Sequence, residues 1–149
     1  MRGPAVLLGA LCLVLAGGCG GGGGGKKLTH EDFVKQANAI CADYNDRIGA
    51  LTTPTSFDAI ASYAKDVRAI AQQDVAKFKK LNPPDADRAN WQTFGKQGDA
   101  VITASHDLES AAKKKDGAAI RRLLAEGRQR AAESKRVATA MGTAECAKT

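Results

Sequence analysis

The spacing of apolar residues after Leu28 follows the 3.6-residue period of an α-helix, and this most constrains the fold. Apolar and polar residues do not alternate in twos over a useful length, as they would in a half-buried strand. Turn-forming stretches at 49–55, 82–84 and 113–117 divide the region into four segments. Four helices with short connections predict an all-α, antiparallel up-down-up-down four-helix bundle. A three-helix body with one broken helix is the alternative.

Capping signals and apolar stripes locate the four predicted helices. Box-like starts at Thr29 with Asp32 and at Thr55 with Asp58 begin the first two, and Gly142 is placed as a C-terminal cap of the fourth. Trp91 and Phe94 are expected to fill the core, and stacking on a ligand is the alternative. The predicted stripes are Phe33, Ala37, Ile40, Cys41, Tyr44 and Ile48; Ile60, Ala64, Val67, Ala71, Val75, Phe78 and Leu81; Trp91, Phe94, Gly98, Val101, Ser105, Leu108 and Ala112; and Ile120, Leu123, Leu124, Gly127, Ala131, Ser134, Val137, Ala138 and Met141.

The N-terminus has the layout of a disordered export signal followed by a tether. Residues 1–18 contain an early Arg and an apolar run that is too short to span a bilayer, with small residues before Cys19. The sequence LAGGC resembles a bacterial lipobox, in which the Cys receives diacylglycerol, although Ala16 stands where Leu is usual. Ordinary signal-peptidase cleavage is the alternative. The run of Gly after Cys19 predicts a flexible linker, so we assign residues 19–27 to a lipidated Cys and its tether and residues 28–149 to the helical domain.

The four Cys divide according to the predicted processing. Cys12 leaves with the signal and Cys19 receives the lipid, so Cys41 and Cys146 remain as an even pair. Export to an oxidising compartment favours a bridge between them, and an up-down bundle places both at the same end. Two buried free thiols are the alternative. Neither Cys has another Cys or His at ligand spacing, so we expect no metal site.

We find no motif for catalysis or for a cofactor. His30 and His106 have no partner at metal spacing. The metal-binding motifs Glu-x-x-His and His-Glu-x-x-His do not occur. The chain also lacks a Gly-x-Ser-x-Gly elbow and a Walker loop. Asp43 and Asp46, together with Arg47, are expected to form a solvated helix face. The sequence therefore predicts a protein that is not an enzyme and needs no cofactor.

The formal charge of +6 comes from helix ends and from the fourth helix. For an exported chain we expect no nucleic acid as partner, and an anionic envelope polymer, anionic lipid or acidic protein suits the charge better. A solvated surface with helix ends matched to the helix dipole is the alternative. The basic residues concerned are Lys77, Lys79, Lys80, Lys113, Lys114, Lys115, Arg121, Arg122, Arg128, Arg130, Lys135 and Arg136.

Four stretches together resemble a loose group of small bacterial envelope lipoproteins of unknown function, common in high-GC Gram-positive bacteria. They are LAGGC followed by Gly, Cys41 within QANAICADYN, the corner at residues 81–84, and the stretch at 142–146 that ends in Cys146. The resemblance covers most of the chain. It implies a helical domain with a Cys41–Cys146 bridge, and it implies no activity.

The expected function follows from the predicted location at the membrane and the predicted helical fold, and not from a catalytic or cofactor motif. We expect a lipid-anchored module on the extracytoplasmic face of the cell membrane that binds a small ligand or a protein partner. An envelope-structural or stress-associated protein without a defined ligand is the alternative.

Overall fold

A computed structural model of the chain describes residues 26–148. The predicted signal peptide, Cys19 and the Gly-rich tether as far as Gly25 lie outside the described residues. The regular elements within 26–148 are α1 (His30–Gly49), α2 (Phe57–Lys79), α3 (Arg88–Lys113), α4 (Gly117–Ala140) and a 3₁₀ turn (Cys146–Lys148). They form a helical bundle, so the predicted all-α fold with four helices is confirmed. Among these described helices, none has the length and apolar character that crossing a membrane requires.

Helices that are neighbours in sequence are neighbours in space. α2 lies between α1 and α3, and α4 packs on α3, while α1 and α4 make no close backbone contact within the described residues. The N–H of Leu28 donates to the carbonyl of Asn82, whereas Asp43 pairs with Lys77. The start of α1 therefore lies beside the end of α2, as in an antiparallel pair. The up-down-up-down direction of all four helices stays a prediction.

Side-chain caps begin three of the four helices. The Oγ1 of Thr29 accepts from the N–H of Asp32, as the sequence predicts. The predicted box of Thr55 and Asp58 is wrong, because Ser56 caps α2 instead. The carboxylate of Asp116 accepts from the first two N–H groups after Gly117, so this predicted corner is a helix start. Each of these three caps comes from the residue directly before the helix that it begins.

The start of α3 differs, because its capping residue is used elsewhere. Asp87 occupies the cap position, but its side chain makes no capping hydrogen bond. Its buried carboxylate lies 2.7 Å from Nδ1 of His30 at the start of α1. His30 is exposed, as predicted, yet this contact ties the beginnings of α1 and α3 together.

The end of α4 is a glycine-terminated turn. Gly142 has a φ of +72°, which is the left-handed conformation that favours glycine. The N–H of Thr143 donates to the carbonyl of Ala138, and the N–H of Gly142 donates to that of Thr139. These two bonds define a Schellman motif. The predicted cap at Gly142 is confirmed, and it turns the C-terminal tail back toward α1.

Most of the buried apolar residues in the described part of the chain form two separate clusters. The first lies at the end of α4 and contains Phe33, Ala37, Cys41, Phe78, Val137, Ala138, Met141 and Cys146. The second lies where α3 meets α4 and contains Ala61, Ala111, Ala112 and Ile120. The predicted stripe of α4 is therefore buried only at its two ends, since no described residue from 121 to 136 is buried. Within the described residues α1 makes no close backbone contact with α4, so α3 is the one long helix packed closely on α4.

Candidate functional site

A cavity of about 490 Å³ lies between the two apolar clusters, and we call it the mid-bundle cavity. All four helices border it, and its walls are mostly apolar. Ile40 of α1, Phe78 of α2, Phe94 of α3 and Leu123 of α4 are among the lining residues. Pockets for small molecules in proteins measure roughly 300–1,000 Å³ and have this character. The volume and the walls of the mid-bundle cavity are therefore in the range of small-molecule sites.

Small residues in α3 and α4 explain why the space exists. Gly98 of α3 lies so close to α2 that an added β-carbon would meet Val75. In α4, a β-carbon on Gly127 would have no heavy atom within 4 Å, and Ala131 one turn later is exposed. α2 and α3 therefore pack closely at Gly98, whereas the small residues of α4 leave the space between α1 and α4 open. A cavity of this kind is the result of residue size along two helices.

Aromatic side chains form one end of the mid-bundle cavity. The rings of Phe78 and Phe94 are 5.0 Å apart between centroids and tilted by 47°. The indole N–H of Trp91 donates to the carbonyl of Phe78 at 3.0 Å. Trp91 and Phe94 both pack against the first cluster, in agreement with the core role predicted for them. Phe94 also borders the cavity, so the predicted alternative of a ligand contact remains open for this residue.

A buried carboxylate in the cavity wall is neutralised by two cations. The side chain of Asp74 is 5% exposed, and its oxygens lie 2.8 Å from Nζ of Lys77 and 3.2 Å from Nη1 of Arg47. Sequence reasoning missed Asp74, because its partners come from two helices. The spacing of Asp74 and Lys77 at i, i+3 on α2 was the one local signal for this pair.

The predicted solvated face of α1 belongs to the same charge network. Asp43 accepts from Lys77 at 3.0 Å and from Arg47 at 3.3 Å. Hydrogen bonds from Lys77 and then from Arg47 lower the pKa of Asp43. Asp74 and then Asp43 raise the pKa of Lys77. Asp46 stays exposed, whereas Asp43 takes part in an ion network with Lys77 and Arg47.

Tyr44 of α1 places a phenol at the wall of the cavity. Burial raises the pKa of Tyr44, and the charges of Tyr63 and Asp74 raise it further. The phenol is therefore neutral at ordinary pH and keeps its proton. Tyr44 thus adds a neutral hydrogen-bonding group to the mostly apolar wall.

α4 contributes two cations to the border of the mid-bundle cavity, Arg128 and Arg130. Nη2 of Arg130 lies 3.5 Å from Oε2 of Glu126. Arg128 has no ion pair within residues 26–148. The cavity border thus carries one guanidinium that no acid of the described chain neutralises.

The C-terminal tail closes one end of the bundle through a disulfide. Cys41 and Cys146 form a disulfide, so the predicted pairing is confirmed. The N–H of Glu145 donates to Oδ1 of Asn38, and Nδ2 of Asn45 donates to the carbonyl of Glu145. Cys41 also borders the cavity. The bridge therefore holds the wall of the cavity as well as the tail.

Residues 26–148 contain no group of three or more His, Cys, Asp or Glu side chains that could hold a metal ion. His106 is exposed and lies 3.4 Å from the carboxylate of its neighbour Asp107. Predicted residue Cys19 has no place in this geometry, since it precedes the described part of the chain. No protein-family model, curated protein or solved structure matches the chain.

Proposed function

We propose that the chain is a lipid-anchored binding module on the extracytoplasmic face of the cell membrane, whose ligand is an apolar small molecule held in the mid-bundle cavity. The observation that carries the binding proposal is the space of about 490 Å³ between two packed clusters. The walls of this space are mostly apolar and it is open on one side, and covering apolar surface stabilises a fold. An envelope-structural protein would gain stability from filling such a space, whereas a binding module needs it.

The membrane address rests on the sequence. The signal-like residues 1–18, Cys19 and the Gly run that follows support export and lipidation. A short flexible tether would hold the domain near the bilayer, where apolar molecules are concentrated. This location and the apolar walls of the cavity support the same kind of ligand.

The binding proposal is tested with a neutral apolar dye. The chain is secreted from residue 19 with the substitution Cys19→Ser, so that neither lipid nor detergent competes, and Nile red fluorescence is titrated. We expect saturable binding of one dye per chain. Gly127→Phe and, separately, Ala131→Phe should each weaken binding, because they place a ring in the cavity. Gly49→Phe is the matched control, since Gly49 has open space around it at the far end of α1 and does not border the cavity.

Absence of saturable dye binding, or equal binding by all three Phe variants, would refute the ligand site and favour the structural alternative. Circular dichroism melting of each variant establishes that the helices remain folded. The anchor is tested separately by mass spectrometry of the detergent-extracted protein from its own host. We expect a chain that starts at Cys19 and carries acyl groups. A chain that starts there without lipid would refute the anchor.

A further inference from the structure

Three cations lie along one edge of α4 beside the mid-bundle cavity. Arg121, Arg128 and Lys135 are seven residues apart, which places them on one side of the helix at intervals of roughly 10 Å. None of the three has an ion pair within the described part of the chain. Arg128 is the middle one, and it borders the cavity. This edge therefore presents uncompensated positive charge next to an apolar space.

The other charges at the cavity border are neutralised within the protein. Asp74 is held by Lys77 and Arg47, and Arg130 is paired with Glu126. Arg128 is thus the one charged residue of the described cavity border that has no opposite charge of its own. A ligand that supplies an anion at this place gains a charge-assisted hydrogen bond, and no existing pair must be broken.

The cavity is long enough to take an extended alkyl chain. Its lining on α4 extends from Leu123 to Ser134, which is roughly 16 Å along the helix axis. Leu124 borders the cavity one turn before Arg128 and is 47% exposed. An apolar side chain and a free guanidinium therefore stand together on the border.

We propose that the mid-bundle cavity takes an anionic amphiphile with a single alkyl chain, such as a fatty acid, and that Arg128 binds its anionic headgroup. The alkyl chain lies between α1, α3 and α4, and it covers the apolar wall that the bundle leaves open. This inference rests on the proposed binding function and names the class of its ligand. Arg128 acts as a specificity-determining residue, since it distinguishes an anionic from a neutral headgroup.

The test compares two probes that share one alkyl chain. In the assay, dodecanoate or dodecanol is added to the protein with bound Nile red at pH 8, and displacement of the dye is measured. Each probe is used below its aggregation concentration. Arg128→Gln should weaken dodecanoate binding about tenfold, the size expected for one charge-assisted hydrogen bond at an exposed site. It should leave dodecanol binding unchanged. Arg122→Gln is the control, because it removes the same charge from α4 at a residue that pairs with Glu126 away from the cavity.

The outcomes separate this inference from the proposed function. Failure of both probes to displace the dye overturns the binding function itself. If both probes bind and Arg128→Gln changes neither, the cavity is a site without headgroup selectivity and this inference is wrong. A third arm measures binding to phosphatidylglycerol vesicles. If Arg128→Gln weakens vesicle binding but not dodecanoate binding, the α4 edge contacts a membrane surface, which also overturns the inference.

Discussion

Gly98 of α3 faces Val75 of α2 so closely that a β-carbon on Gly98 would lie 2.5 Å from Cγ2 of Val75. Real β-carbons are not found at such distances from other heavy atoms. Val is branched at its β-carbon and has little freedom to move aside. The two helices therefore approach each other at a point where only glycine fits.

Gly98→Ala should destabilise the protein by up to about 2 kcal/mol, because overpacking costs about 1–3 kcal/mol and the better helix propensity of Ala returns about 1 kcal/mol. Gly95→Ala, three residues earlier on α3, is the matched control. Its β-carbon would come no closer than 3.8 Å to Lys79, so we expect unchanged or slightly raised stability. Urea unfolding gives the free energy of unfolding of both variants. An equal change in the two would contradict a close approach at Gly98.

A pair of glycines in and after α4 should respond to alanine in opposite directions. Gly142 has a φ of +72° and room for a methyl group, so the strain of the left-handed backbone should cost Gly142→Ala about 1–2 kcal/mol. Gly127 lies inside α4 with open space around it, and Gly127→Ala should stabilise by about 0.5–1 kcal/mol. Thermal melting followed by circular dichroism measures both. A loss of stability in Gly127→Ala would show that this position does not face open space.

Removal of the disulfide should lower stability substantially. The bridge joins residues separated by 105 positions, and loop-closure entropy gives about 4–5 kcal/mol for a loop of that length. We expect the double variant Cys41→Ser with Cys146→Ser to lose about 2–5 kcal/mol in urea unfolding. The wild-type protein in reducing buffer should show the same loss, while the double variant should not respond to reductant. A wild-type protein insensitive to reductant would contradict the bridge.

Acid should destabilise the fold through carboxylates whose pKa is lowered in the native state. Lys77 and Arg47 lower the pKa of Asp43, and Lys113 and then Arg68 lower that of Glu109. Such groups add their full stability above their ordinary pKa values of 3.8 and 4.5, and they lose it as the pH falls through the lowered native values. The melting temperature should therefore stay level from about pH 5 to about pH 9 and fall below about pH 5.

The same titration has an internal control. Asp43→Asn should melt lower than the wild type at pH 7, and its melting temperature should depend less on pH below 4, because one linked group is gone. Added salt should reduce the difference between the two proteins, since Asp43 is exposed to solvent and its pairs are screened. A parallel decline of both proteins in acid would contradict a native pKa shift at Asp43.

Local features of the fold follow from local sequence. The caps at Thr29 and Gly142 and the helical spacing of each segment depend on residues within one or two turns of each other. The Cys41–Cys146 pair could also be predicted, because parity left only one partner for each. These features need no knowledge of how the helices meet.

The candidate site depends on distances between helices, which the period of a stripe does not contain. Gly127, Ala131 and Ser134 share the period of the buried ends of α4, yet none of them is buried. The period of an apolar stripe predicts the side of the helix on which a side chain lies. Whether that side chain is buried depends on the volumes of the side chains on the opposite helix. The place of Asp74 in the candidate site could not be predicted from the sequence for the same reason, since its partner Arg47 comes from another helix.

The division of the core into two clusters also determines how the molecule moves. α4 is held at Ile120 near its first turn and at Val137 and Ala138 near its last. No residue of α4 from 121 to 136 is buried, so few buried contacts oppose local opening of its middle turns. Backbone amides between these two anchors should exchange with deuterium far faster than those at either end. Such a helix can bend outward without global unfolding, and the mid-bundle cavity can then become wide enough for alkyl chains of different width.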